Sequence, residues 1–355
     1  MIPAMTPRRV ARAKLVWPMV AALALLGWLD GCASSGAVRL EARAPASARV
    51  WPAPPDPPRI RLLRSFTSAK DLGFRRSFFG RVVDFVRGRD ASAHLHHPYG
   101  LAVTADERVY VVDSASKGVH QYDLPRGRYR FLRGDGFANP IGVAVDPSGR
   151  VFVTDAEAGV VVILDPDGDE IGRITEGLSR PTGIAINPIT SDVYVVDTES
   201  HSVAVFDSTG AGKGSFGSRG EGEGQLNYPT LIAIGPDGQV YVSDSLNFRV
   251  QVFSADGSPI RSFGRLGDAV GEFARPKGLG VDAEGRVYVV EGLYDVVNIF
   301  DPEGRLLLTF GGAGRAEGSF WLATDLTVDH RGRVFVADSY NGRVQVFQVL
   351  DMVTP

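Results

Sequence analysis

The stretch from Arg275 to Gly311 reads RPKGLGVDAEGRVYVVEGLYDVVNIFDPEGRLLLTFG, and its plan recurs five more times in the 355-residue chain. The other copies begin at His97 (HPYGLAVTADERVYVVD), Asn139 (NPIGVAVDPSGRVFVTD), Arg180 (RPTGIAINPITSDVYVVD), Tyr228 (YPTLIAIGPDGQVYVSD) and Leu322 (LATDLTVDHRGRVFVAD). The acidic residue that closes each second apolar run falls at Asp113, Asp155, Asp197, Asp244, Glu291 and Asp338, giving spacings of 42, 42, 47, 47 and 47 residues. A period of that size filled with short strands is the signature of propeller blades.

Within one copy, LGV, VYVV, VNIF and LLLTF are runs of β-branched and aromatic residues bounded by Gly, Pro and Asp, which suits strands and not helices. DAEGR, DPSGR and GPDGQ lie between first and second runs, and DPEGR, DPDGD and SADGS between third and fourth, with Gly where φ must be positive. Each copy therefore encodes a four-stranded antiparallel blade. Its two apolar faces require neighbours, so the expected fold is all-β, a six-bladed propeller. The sixth copy ends after three strands, at GRVQVFQVL. Ile60–Phe66 (IRLLRSF) matches the fourth-strand segments, so it is expected to pair with Val344–Val349 and complete the last blade.

These residues resemble an NHL-repeat family, whose members are six-bladed propellers. The resemblance rests on the PxG(I/L/V)AVD first strand, the GR-V-Y-V-D second strand and the NxRVQVF third strand at Asn247–Phe253 and Asn341–Phe347, and it spans about residues 60–355. The pattern is broken at Leu231 and Asp325, which replace its Gly, and at Ala323, which replaces its Pro. The resemblance implies a binding platform for proteins or other polymers, with lyase or lactonase activity in a minority of related propellers.

Residues 1–31 read as a lipoprotein signal peptide. Arg8, Arg9, Arg12 and Lys14 precede the apolar run LVWPMVAALALLGW, which is shorter than the roughly 20 residues a spanning helix needs. Cys32, the sole cysteine, follows Leu29-Asp30-Gly31 as a lipid acceptor would, although Asp30 is unusual there. An exported protein lipid-anchored to a bacterial membrane follows, at the outer membrane or facing the periplasm. Residues 32–58 are rich in Ala, Ser and Pro and read as a tether. The propeller then occupies 59–355, with 59–66 as the closing strand and 70–96 as an insertion. There Phe74, Phe78, Val82, Phe85 and Val86 fall at helical spacing, predicting a short amphipathic helix that packs on the propeller or addresses anionic lipid.

Arg59–Asp90 carries nine basic and three acidic residues, net +6, whereas residues 91–355 carry 22 and 35, net −13. That balance argues against nucleic acid as the propeller's partner. The six repeat carboxylates are each expected to hydrogen-bond a turn, because a residue present in every blade is explained by a feature present in every blade. The first strands (LAV, VAV, IAI, IAI, LGV, LTV) carry no metal ligands, and His94, His96 and His97 form the one histidine cluster, without a fourth convergent ligand. No phosphate-binding loop, nucleophile elbow or cofactor motif is present, so no catalytic residue, metal or cofactor is assigned.

The turns between second and third strands share one face with the connections into each first strand. On that face blades four to six present Leu246, Phe248, Leu293, Tyr294 and Tyr340, with Phe320 and Trp321 in the adjoining loop. Clustered apolar side chains of this kind mark an interface; the competing reading is that they fold inward over neighbouring loops. Tyr99, Ile141, Thr182, Thr230, Lys277 and Thr324 are expected around the mouth of the central channel, where Lys277 and Asp325 are placed to meet as a tie between blades five and six. The function expected is a monomeric, non-catalytic platform for other envelope proteins. The alternatives are a propeller lyase or lactonase, and a cell-wall glycan-binding module using Trp321, Tyr340 and Tyr294.

Overall fold

In the computed structural model the described residues are 37, 38, 40, 49–74, 94–134 and 136–350. The signal peptide, Cys32 and the helix expected within 70–96 lie outside them, apart from the ends of that insertion. Six sheets follow one another along the chain, and each places its first strand innermost: Pro98–Val103, Pro140–Val145, Pro181–Ile186, Pro229–Ile234, Pro276–Val281 and Ala323–Val328. The protein is an all-β six-bladed propeller with four antiparallel strands per blade.

The second strands explain the near-continuous apolar runs, because both of their faces are covered. Val193–Asp197 is buried at every position, as are its counterparts Val151–Asp155, Val240–Asp244 and Val287–Glu291. The core is accordingly six layers, one at each junction between blades. Tyr110 and Val112 of blade one pack with Val151 and Val153 of blade two, and the ring is completed where Phe335, Val344 and Val346 of blade six meet Val109, Val111 and Tyr122 of blade one. Each such buried side chain stabilises by about 1.5–3 kcal/mol, which no isolated blade would gain on both faces.

Ile60–Phe66 pairs antiparallel with Arg343–Val349, in a register that sets Ile60 against Val349 and Phe66 against Val344. One strand was not expected. Val50–Trp51 adds to the outer edge of Ile60–Phe66, so the last sheet has five strands. Trp51 packs on Phe310 and Phe347 at ring separations of 5.9 and 5.7 Å. Upstream, the Val38 amide donates to the Leu124 carbonyl at 2.9 Å, and Leu40 is buried among Leu63, Leu72 and Leu95. Part of the segment read as a tether is therefore docked on the propeller; its apolar residues are too few to show a period but enough to fill grooves.

The change of period from 42 to 47 residues also has a structural cause. Blades four to six are entered by longer loops, each folded back on itself by a parallel bridge: Arg219 with Leu226, Leu266 with Phe273, and Ala313 with Phe320. Leu226, Phe273 and Phe320 are wholly buried. This corrects the reading of Phe320 as an exposed aromatic: it is the plug that holds its loop down.

Candidate functional site

The six repeat carboxylates are buried, and each reaches back to the loop that opens its own blade. The amides of His96 and His97 donate to Asp113 at 2.7 and 3.2 Å, those of Ala138 and Asn139 to Asp155 at 2.6 and 2.9 Å, and those of Ala274 and Arg275 to Glu291 at 3.0 and 2.8 Å. Asp244 and Asp338 collect more. Asn247, Arg249 and Gln251 all donate side-chain N–H groups to Asp244 at 2.8, 2.8 and 3.0 Å. Asn341, Arg343 and Gln345 do the same to Asp338. The spacing of NxRVQ thus follows from geometry: residues three, five and seven places after the carboxylate converge on it. Carboxylates filled in this way by donors are structural pins rather than acid–base groups.

In blade one the place of Gln is taken by His120, whose Nε2 lies 3.5 Å from Asp113 Oδ2 and whose Nδ1 lies 2.9 Å from the Tyr129 hydroxyl. Burial holds the imidazole below its usual pKa. The same pocket encloses the unpartnered Tyr122 hydroxyl.

The residues expected around the channel mouth serve mainly to join blades. Thr154 Oγ1 donates to the Thr182 carbonyl at 2.6 Å, Thr182 Oγ1 to the Thr230 carbonyl at 2.8 Å, Ser243 to the Lys277 carbonyl at 2.5 Å, and Thr324 to the Tyr99 carbonyl at 3.1 Å. Thr230 Oγ1 pairs with Ser245, and Ile141 is buried. The glycine beside these residues is dictated by proximity. A Cβ on Gly100, Gly142 or Gly278 would lie 2.4–2.6 Å from the backbone of the next inner strand.

Lys277 and Asp325 do not form the expected tie: no ion pair joins them among the described residues. The Lys277 side chain lies over Gly292, where burial and the Arg275 charge lower its pKa to about 8. Asp325 instead accepts the Leu101 amide of blade one at 3.0 Å on Oδ2 and the Leu326 amide at 2.8 Å on Oδ1. Burial raises its carboxyl to about 7. It lines a central cavity of about 410 Å³ whose other walls are the inner strands. None of the six expected mouth residues lines that cavity, and the sequence reading did not place Asp325 inside it. The signal was visible as an acidic residue standing where the repeat has Gly.

On the face where second strands turn into third, Leu246, Leu293 and Tyr340 occupy the same position of three successive blades, 51, 57 and 56% exposed. Tyr294 and Trp321 are exposed beside them. Tyr340 stacks on His97 at 5.6 Å and lies 5.8 Å from Trp321, over which Arg315 sits at 4.5 Å. Phe248 does not belong with them. It is half-buried against the layer between blades four and five, at the left-handed position (φ 55°) that Lys117, His201, Asp295 and Gly342 hold in other blades.

Two stretches, 226–253 and 320–347, match the NHL repeat model, and they contain the two complete Asn-Arg-Gln clusters. The chain is a six-bladed propeller that carries NHL repeats. Residues 89–186 of this NHL propeller also match the SMP-30/Gluconolactonase/LRE-like region. Among curated proteins it is 32% identical over 136 residues to the E3 ubiquitin-protein ligase NHLRC1 of Rattus norvegicus, covering 37% of this chain and 33% of that one. It is 29% identical over 120 residues to the gluconolactonase of Zymomonas mobilis, covering 28% of this chain and 33% of the enzyme. The matched regions thus span about a third of either relative. In structure, the propeller resembles a gluconolactonase of Xanthomonas campestris at a TM-score of 0.58 and 18% identity, covering 87% and 99% of the two chains. It also resembles a streptogramin B lyase at 0.56 and 13%, covering 72% and 94%. At these identities the structural likeness is one of fold.

Proposed function

We propose that this NHL propeller is a lipid-anchored protein of the bacterial envelope that holds a protein partner on the face bearing Leu246, Leu293 and Tyr340. The observation that carries the reading is repetition. One position in each of three adjacent blades presents a large apolar side chain to solvent, with Trp321 and Tyr294 alongside, and such a patch is unusual on a surface with no role. The acidic balance of residues 91–355 supports a protein partner over nucleic acid. Engagement of the repeat carboxylates by amides and side chains supports a non-catalytic role. Replacing residues 246, 293 and 340 singly by a photo-crosslinking amino acid in native membranes should give the same adduct from all three sites and none from Asp167 in a turn of the opposite face. Equal adducts from Asp167, or none from the three, would overturn it.

A second reading is favoured by the matches to lactonases and by the carboxylate inside the channel: a hydrolase acting at Asp325. Hydrolysis of sugar lactones by the purified chain, abolished by Asp325→Asn, would replace the platform reading.

A further inference from the structure

Asp325 is a buried carboxylate without a counter-charge, and it stands inside a cavity. Its two hydrogen bonds come from backbone amides, and no ion pair reaches it among the described residues. Burying an anion in this way is unfavourable unless a cation accompanies it or a proton neutralises it. The surrounding wall supplies acceptors. Each inner strand is the terminal strand of its sheet, so its free edge turns unpaired peptide groups toward the axis; the Leu101 amide bound by Asp325 is one of these groups. Between the peptide groups stand Leu101, Val143, Ile184, Ile232, Leu279 and Leu326. A volume of about 410 Å³ falls in the range of small-molecule sites.

We propose that the central channel binds a small primary amine as its ammonium ion, with Asp325 as the counter-charge, inner-strand carbonyls accepting its remaining N–H groups, and the apolar wall taking its carbon body. This site is separate from the partner face and does not rest on the platform reading. A divalent metal fits less well. Calcium asks for six to eight oxygens and usually several carboxylates, whereas no group of three acidic, histidine or cysteine side chains is placed to hold a metal ion among the described residues. One carboxylate matches one positive charge. The titratable neighbour across the seam is Tyr99, whose phenol burial and the Asp325 charge push upward, so at neutral pH it stays uncharged and leaves Asp325 as the proton donor on binding.

The test is calorimetric titration of the full chain with butylammonium, 1-butanol and butyrate at pH 7, in two buffers of different ionisation enthalpy. Butylammonium is expected to bind at least tenfold more tightly than either competitor and to release a fraction of a proton per molecule, since burial leaves Asp325 partly protonated there. Asp325→Asn should weaken binding at least tenfold and abolish proton release, with its melting temperature reporting that it folds. Equal binding of the three probes, unchanged binding by Asp325→Asn, or proton release by calcium but not by butylammonium would each overturn the proposal. Should the variant fail to fold, the ranking of probes on the unaltered chain still decides.

Discussion

The glycine of the PxG signature is held by distance rather than by torsion. A methyl group on Gly142 would stand 2.4 Å from the Thr182 carbonyl oxygen, backbone that cannot give way. Gly142→Ala should therefore destabilise by about 1–3 kcal/mol as an overpacked core does. Gly212→Ala, in an outer strand with nothing within 4 Å of its Cβ, should be neutral or slightly stabilising. Thermal melting of the two variants compares them, and equal losses would remove close approach as the reason for the signature. Asp325 makes a pH-dependent prediction. Its folded carboxyl titrates at about 7, above the unfolded value near 3.9. Its contribution is thus fully present below about pH 4 and is lost as pH rises toward 7, by an upper bound of roughly 4 kcal/mol. Asp325→Asn lacks that loss, so its stability relative to the native chain should improve from pH 5 to pH 8. A difference that does not vary with pH would contradict the assignment.

At the scale of elements, strands, blades and their order were legible because hydrophobic runs of four or five residues alternated with Gly-Asp turns at a fixed period. What escaped the sequence were contacts made across the period. The pairing of each carboxylate with amides about 17 residues earlier has no local signature. Leu226, Phe273 and Phe320 read as loop residues until the parallel bridge that buries them is seen. Val50–Trp51 is two residues in a Pro-rich segment, with no alternation to detect. Of the candidate face, Leu246, Leu293, Tyr294, Trp321 and Tyr340 are exposed at positions that recur with the period, whereas Phe248 packs against the layer between blades four and five, a contact across the period with no local signature. The terminal strands also carry a prediction. Chains beginning at Ala48, Pro57 and Thr67 should melt in descending order, the first step reflecting Trp51 (roughly 1–3 kcal/mol for a partly buried aromatic) and the second the whole of Ile60–Phe66. Loss of the latter leaves Arg343–Val349 as an uncovered edge, so aggregation should accompany it. Equal melting of the last two chains would mean that Ile60–Phe66 does not hold the ring.

For the whole molecule, the proposed platform role requires attachment to the membrane. Among the described residues no helix is long and apolar enough to cross a membrane, and the apolar run before Cys32 is shorter than a spanning helix needs. Retention would then rest on acylation of Cys32, and a single chain gives only marginal binding whereas two or more hold firmly. A diacylglycerol on Cys32, as the proposed anchor, would meet that requirement with two acyl chains on one thiol. Cys32→Ser should therefore abolish incorporation of labelled palmitate and leave an unprocessed precursor, while the propeller, whose fold involves no disulfide, keeps its melting temperature. The two readouts separate anchoring from folding. Palmitate labelling that survives Cys32→Ser would place the lipid elsewhere, and membrane retention of a processed, unlabelled chain would instead put the weight of attachment on the basic segment at Arg59–Asp90 and its attraction to anionic headgroups, an attraction that high salt would then release.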